Sequence, residues 1–181
     1  TLLGSRAVPA LAAGASHTGS ATVTIPAGTA PGTYYVMAKV DADGVVAETQ
    51  EGNNTFSRSV QLGPDLVIGG LSAPASAGAG TTLTVTDTTL NGGGGPAGAT
   101  TTAFYLSTNS SFDAADVPLG SRPVPALAAG ASDTGSATLT IPAGTAPGAY
   151  YLIGRADSAG EIAETLETNN VQARPLTVTS P

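Results

Sequence analysis

Residues 119–151 read LGSRPVPALAAGASDTGSATLTIPAGTAPGAYY, and residues 3–35 read LGSRAVPALAAGASHTGSATVTIPAGTAPGTYY. Sliding 119 onto 3 carries 119–178 onto 3–62 without a gap. Roughly 38 of the 61 positions starting at Leu2 are then identical, far more than a Gly-, Ala- and Thr-rich composition gives by chance. The chain is one and a half copies of a repeat. Inside the copied stretch the period is two: Ser136-Ala137-Thr138-Leu139-Thr140-Ile141 alternates small or hydroxylated residues with apolar ones, and Pro142 stops it. Ala143-Gly144-Thr145-Ala146-Pro147-Gly148 is a turn whose glycines permit positive φ.

Working outward, Asp65-Leu66-Val67-Ile68 opens a strand, and 81–87 sets Leu83 and Val85 against threonines. Asn91-Gly92-Gly93-Gly94-Gly95-Pro96 is a loop, and 101–107 puts Phe104 and Leu106 on one face with Tyr105 on the other. Pro123 and Pro125 make 118–127 an edge strand or an extended crossing. Strands over 150–156 and 171–178 follow, the latter with Pro175 tolerable near an edge. Helix signals are absent. Seven short strands separated by turn signals predict an all-β fold, an antiparallel seven-strand β-sandwich, with an open barrel as the structural alternative. Residues 64–181 are then a complete sandwich repeat and 1–63 the C-terminal half of another. Gly63-Pro64 is a linker too short, and too stiff at Pro64, for a floppy tether. Gap-free alignment predicts one strand register for 3–62 and 119–178, including strands over 21–25 and 34–40.

The chain has 181 residues, no cysteine, no Trp, 10% charged residues and a net charge of −7. A disordered chain would be more charged and poorer in β-branched residues. No cysteine means no disulfide framework and no thiolate-held metal. Six Lys plus Arg within an acidic balance exclude a clustered basic face for nucleic acid. No apolar run approaches the roughly 20 residues of a membrane helix. Without an initiator Met or basic leader, Thr1 reads as an interior start, within something longer.

These residues resemble the bacterial cell-adhesion-related domain, CARDB. The resemblance rests on Pro64-Asp65-Leu66, on Phe104-Tyr105-Leu106-Ser107-Thr108, and on Leu119-Gly120-Ser121 with Val124-Pro125-Ala126-Leu127. It continues through Pro147-Gly148-Ala149-Tyr150-Tyr151 to Ala163-Glu164-Thr165-Leu166-Glu167-Thr168-Asn169-Asn170. It covers 64–178 and, for its second half, 3–62. What it implies is an immunoglobulin-like sandwich, repeated in tandem on secreted or surface-anchored bacterial proteins, with adhesive roles.

Chemistry-bearing residues are few. The one histidine, His17, is matched by Asp133 in the other copy, so no shared catalytic base exists, and an exposed loop residue is the expectation. Asn109, Asp113 and Asp116 offer hard oxygens for calcium; the competing reading has them bonding the backbone of their own turn. A second cluster recurs in both copies: Asp41, Asp43, Glu48, Glu51, Asn53 and Asn54, then Asp157, Glu161, Glu164, Glu167, Asn169 and Asn170. It crowns one end of the sandwich as a turn or interface cluster, with the Asn pairs expected in left-handed backbone. Of the paired tyrosines Tyr34-Tyr35 and Tyr150-Tyr151, one ring of each pair points into the core.

The reading is a non-enzymatic extracellular or cell-surface module of a bacterial tandem-repeat protein or fibre. Its alternative is a carbohydrate- or protein-binding adhesin domain acting through its loops. Expected partners are neighbouring repeats or identical subunits, by strand complementation of the incomplete repeat, and a surface protein or polysaccharide. No cofactor is expected beyond candidate calcium.

Overall fold

The alternation begun at Leu83 runs on through Thr82–Asn91, with Leu83, Val85, Asp87, Thr89 and Asn91 buried and the residues between them facing outward. In the computed structural model, which describes residues 1–180, contacts divide the chain into Thr1–Ala30 and a larger unit from Pro31 onward. The larger unit carries ten strands: β1 (Gly32–Lys39), β2 (Thr55–Leu62), β3 (Leu66–Ser72), β4 (Ser76–Gly78), β5 (Thr82–Asn91), β6 (Thr100–Ser107), β7 (Val117–Val124), β8 (Ser132–Thr140), β9 (Gly148–Arg155) and β10 (Val171–Thr179). One 3-10 turn, Glu51–Asn53, is the only helical element among the described residues.

Two sheets form the sandwich, a three-stranded one in the order β3-β5-β8 and a five-stranded one in the order β4-β10-β9-β6-β7. Leu66, Val85 and Leu139 from the first meet Phe104, Leu152 and Val178 from the second in one core, each at most 1% exposed. Each such side chain contributes about 1.5–3 kcal/mol of apolar burial. β7, with its prolines, lies at a sheet edge as expected. β4 departs from the antiparallel expectation. It pairs in parallel with the end of β10 over three residues, where the chain crosses from the sheet of β3 to the opposite sheet. On the outer face of β5 and β8, Thr86 shares a hydrogen bond with Ser136 and Thr88 with Thr134, both at 2.8 Å, so that face is hydroxylated and flat in chemistry.

β1 and β2 form a hairpin whose register repeats that of β9 and β10: Gly32 faces Leu62 as Gly148 faces Val178. The strand expected over 21–25 is not there. Its counterpart β8 is held only by β5, and no described residue plays the part of β5 for 16–24. Turns in the 1–30 unit do repeat: Ala15 N donates to Ala12 O at 2.9 Å and Thr29 N to Pro26 O at 3.2 Å, as Ala131 N to Ala128 O and Thr145 N to Pro142 O, both at 3.0 Å, do in the complete copy. Turns and hairpins carry their own partners within a short stretch, whereas edge ladders borrow theirs from afar.

Candidate functional site: the polar end of the sandwich

The β9–β10 connection is built around Asp157, buried and at φ +40°. Its Oδ1 accepts from Glu161 N at 3.2 Å and from Thr100 Oγ1 at 2.5 Å, and Oδ2 accepts from Ile162 N at 3.1 Å. Asp41, at φ +46°, repeats this with Val45 N and Val46 N, both at 3.0 Å. The left-handed backbone is therefore at Asp41 and Asp157, where each carboxylate pins its own turn. It is not at the Asn pairs, where it was expected; Asn54 lies at φ −80°.

Glu164 is the centre of the second turn. Its N–H donates to Glu167 Oε1 at 2.9 Å, Oε1 accepts from Asn170 Nδ2 at 3.1 Å, and Oε2 accepts from Leu66 N at 2.7 Å, tying the loop to the first strand of the sandwich. Asn169 Nδ2 donates to Asp65 Oδ1 at 2.9 Å. In the first copy Glu48 N donates to Glu51 Oε1 at 3.0 Å and Asn54 Nδ2 to Glu48 Oε2 at 2.7 Å, with no donor corresponding to Leu66 N. Asp43, Asn53 and Glu161 are exposed.

Burial pushes the Glu164 carboxyl up to about 7, with Glu167, Asp157 and Asp65 adding repulsion and the Leu66 N–H working against the shift. A carboxyl raised in the fold binds its proton more tightly than the unfolded chain does, so stability falls as pH rises from about 4.5 to about 7 and is flat above. Glu164→Gln is expected to remove that part of the slope. The variant should be weaker than the parent near pH 4.5, because an amide has one accepting oxygen where the carboxyl takes both Leu66 N and Asn170 Nδ2, and it should lose less stability than the parent between about pH 4.5 and about pH 8. Urea unfolding at both pH values checks this; a variant that keeps the parent's full pH slope contradicts it.

Sequence reasoning missed a second polar centre inside the sandwich. Arg122, on β7, sends Nε to Asp87 Oδ1 at 2.5 Å and Nη2 to Asp87 Oδ2 at 2.9 Å, while Nη1 reaches Asp133 Oδ2 at 2.5 Å. Asp87 and Arg122 are 1% and 6% exposed, and the bonds to Asp87 raise the guanidinium further above its ordinary value. Thr89, fully buried, bonds both Asp87 and Thr102. In the first copy Arg6 Nη1 meets only His17 Nδ1, at 3.0 Å and exposed, so His17 stands where the second carboxylate of this network stands in the complete copy.

In the other cluster the oxygens face inward to their own turn. Asp113 Oδ1 accepts from Ala115 N at 2.8 Å, Asp116 Oδ2 from Asp113 N at 3.0 Å, and Asn109 Oδ1 from Ser111 N at 2.7 Å. Among the described residues no three His, Cys, Asp or Glu side chains converge as a metal-ligand set. The same loop lays Phe112 on the outer sheet face, its ring 4.8 Å from that of Tyr105 and under the Arg155 guanidinium, also at 4.8 Å. Tyr150 turns inward beside the core, its hydroxyl donating to Ala146 O at 3.1 Å, as in a tyrosine corner.

Comparison with known proteins agrees with this architecture. The CARDB family profile matches residues 1–58 and 63–174. The crystal structure of the CARDB domain of the PF1109 protein from Pyrococcus furiosus, in complex with di-metal ions, superposes with a TM-score of 0.51 at 19% identity, over 66% of this chain and 96% of that one. A domain of a Methanosarcina acetivorans protein named for the cell surface gives 0.48 at 18% identity, over 66% and 96%. A β-glucosidase from Listeria innocua, as a mutant in complex with laminaribiose, gives 0.45 at 19% identity over 69% of this chain but 17% of its own, so the likeness carries no activity. No curated protein is similar enough in sequence to count as a relative. No described helix is long and apolar enough to cross a membrane. The chain belongs to the CARDB family, a family of non-catalytic β-sandwich modules.

Proposed function

We propose that the chain is an extracellular structural and adhesive repeat module, part of a tandem-repeat bacterial surface protein or fibre, in which 1–63 is the second half of one sandwich and 64–181 a whole one. The observation that carries this is a set of matched positions with opposite burial. Val8, Val23, Ile25, Val36, Met37 and Val40 are 46%, 39%, 37%, 40%, 69% and 60% exposed, whereas Val124, Leu139, Ile141, Leu152, Ile153 and Ala156 are each at most 1% exposed. The side chains are apolar in both copies; what differs is the cover. In the complete copy that cover is β3 to β6 and the loop after them.

The occupant that fits these bare positions is a segment of the same kind as 64–116, lying ahead of Thr1 in a longer chain. Joined there, it would run Asp116 into Thr1 with the repeat register unbroken. A second copy of this chain is a poorer candidate, because its own β3 to β6 are already held in a finished sandwich. The hydroxylated outer face of β5 and β8 supports a spacer over a ligand-binding cleft. The test is to fuse a copy of 64–116 ahead of Thr1. The fused chain is expected to unfold with a larger denaturant dependence, since m grows with the surface a fold buries. An unchanged m with 16–24 still unpaired contradicts the reading.

In the same reading the oxygens of Asn109, Asp113 and Asp116 serve their turn instead of calcium. Melting the chain with calcium and with chelator is expected to give the same midpoint. A rise with calcium that Asp113→Ala abolishes contradicts this, because a ligand of the native state stabilises it by mass action.

A further inference from the structure

Gly63 and Pro64 join the two copies, and the carbonyls around them are all engaged. Leu62 O accepts from Thr165 Oγ1 at 2.9 Å, Gly63 O from Gly95 N at 2.9 Å, Pro64 O from Thr165 N at 2.8 Å, and Asp65 O from Gly92 N at 2.7 Å. A free tether would leave such groups to water. The donors come from two places on the complete sandwich, the glycine loop after β5 and the β9–β10 connection.

The loop is held from beneath by Asn91, which is fully buried. Its Oδ1 accepts from Asp65 N and Gly93 N, both at 3.1 Å, and its Nδ2 donates to Gly95 O at 2.8 Å. Close approach explains the glycines. A Cβ at Gly93 would stand 2.4 Å from Gly63 O, and one at Gly94 would stand 2.4 Å from Gln61 O. Gln61 belongs to β2, so the loop touches the strand that leaves the first copy as well as the linker.

We infer that Asn91–Gly95 and Thr165 form a receptor for the exit strand of the preceding repeat, fixing one repeat on the next in a single orientation. This rests on the array reading and adds to it the device that sets the joint. The run of four glycines is then a backbone-recognition surface, since only a chain without side chains lets two backbones lie this close.

The experiment is amide hydrogen exchange by NMR on the whole chain. The amides of Gly95 and Thr165 report the joint, and those of Phe104 and Leu152 report the core. In the parent, the joint amides are expected to be protected. Gly93→Ala should speed their exchange at least about tenfold while the core amides stay within about twofold, because opening is local. Thr165→Val, which deletes only the bond to Leu62 O, should speed exchange at position 165 with no change in the core. Gly144→Ala, where a Cβ meets no atom within 4 Å, should change nothing. Unprotected joint amides in the parent, no response to Gly93→Ala, or an equal rise at joint and core would each overturn the inference. Failure of the fused-strand experiment with the joint amides still protected would instead sink the array reading and leave the receptor standing.

Discussion

Arg122→Ala is expected to destabilise the complete sandwich by about 3–5 kcal/mol, because it strands the Asp87 carboxylate without its partner in the core. The penalty comes from the uncompensated charge more than from the attraction lost. Asp87 lies opposite Gly135 on β8 and faces inward beside Thr89, where water cannot replace the guanidinium. Replacing both members, Arg122→Met with Asp87→Leu, should therefore recover most of the loss. Arg6→Ala, at the matching but exposed position, should move stability by less than about 0.5 kcal/mol. Denaturant unfolding of the three variants separates these cases. A small effect of Arg122→Ala, or a double variant as weak as the single one, would show that the buried pair is not what holds this end of the fold.

The second large effect compares one position in its two settings. Leu152→Ala is expected to cost about 2–5 kcal/mol, as removal of a fully buried Leu does. Val36→Ala, at the equivalent position of β1, should cost less than about 0.5 kcal/mol in this chain, because Val36 is already 40% exposed. With 64–116 fused ahead of Thr1, the same Val36→Ala change should become costly, since the side chain then has a core to leave. Equal costs at Leu152 and Val36 in the present chain would mean that β1 is packed in a way the structure does not show.

The strands were legible because their signals are local. The stop at Pro142 and the turn after it need nothing from the rest of the chain and recur after Pro26, whereas alternation like that of Leu83 and Val85 with threonines marks a strand that forms only beside a partner, as its loss over 21–25 shows. The same run hid the buried polar centre in plain view. Asp87, Thr89 and Asn91 continue the inward set of Leu83 and Val85, and an acid on the apolar side of an alternating strand asks for a cation on a facing strand. Arg122, inward beside Val124, was that cation. The glycine loop was legible as irregular but not as a receptor, because close approach is made by Gln61 and Gly63, some thirty positions earlier, and only folding brings them together. The turn cluster was placed at the right end of the sandwich, but the left-handed residue is Asp157 and not the Asn pair. There a carboxylate accepting two backbone N–H groups stabilises the turn that an Asn amide was expected to make.

One residue reports on the central claim directly. Met37 is the single methionine of the chain and is 69% exposed, whereas Ile153 at the equivalent position is fully buried, opposite Tyr105 on β6. Its thioether oxidises to the sulfoxide at a rate that follows its exposure. Treated with dilute peroxide, the present chain should gain one oxygen at nearly the rate of free methionine, and the chain fused to 64–116 ahead of Thr1 should gain it at least about tenfold more slowly. Equal rates in the two chains would contradict the account, because they would mean that the fused segment, whose β6 and following loop cover Ile153 on the outer sheet face, does not cover Met37 in the same way.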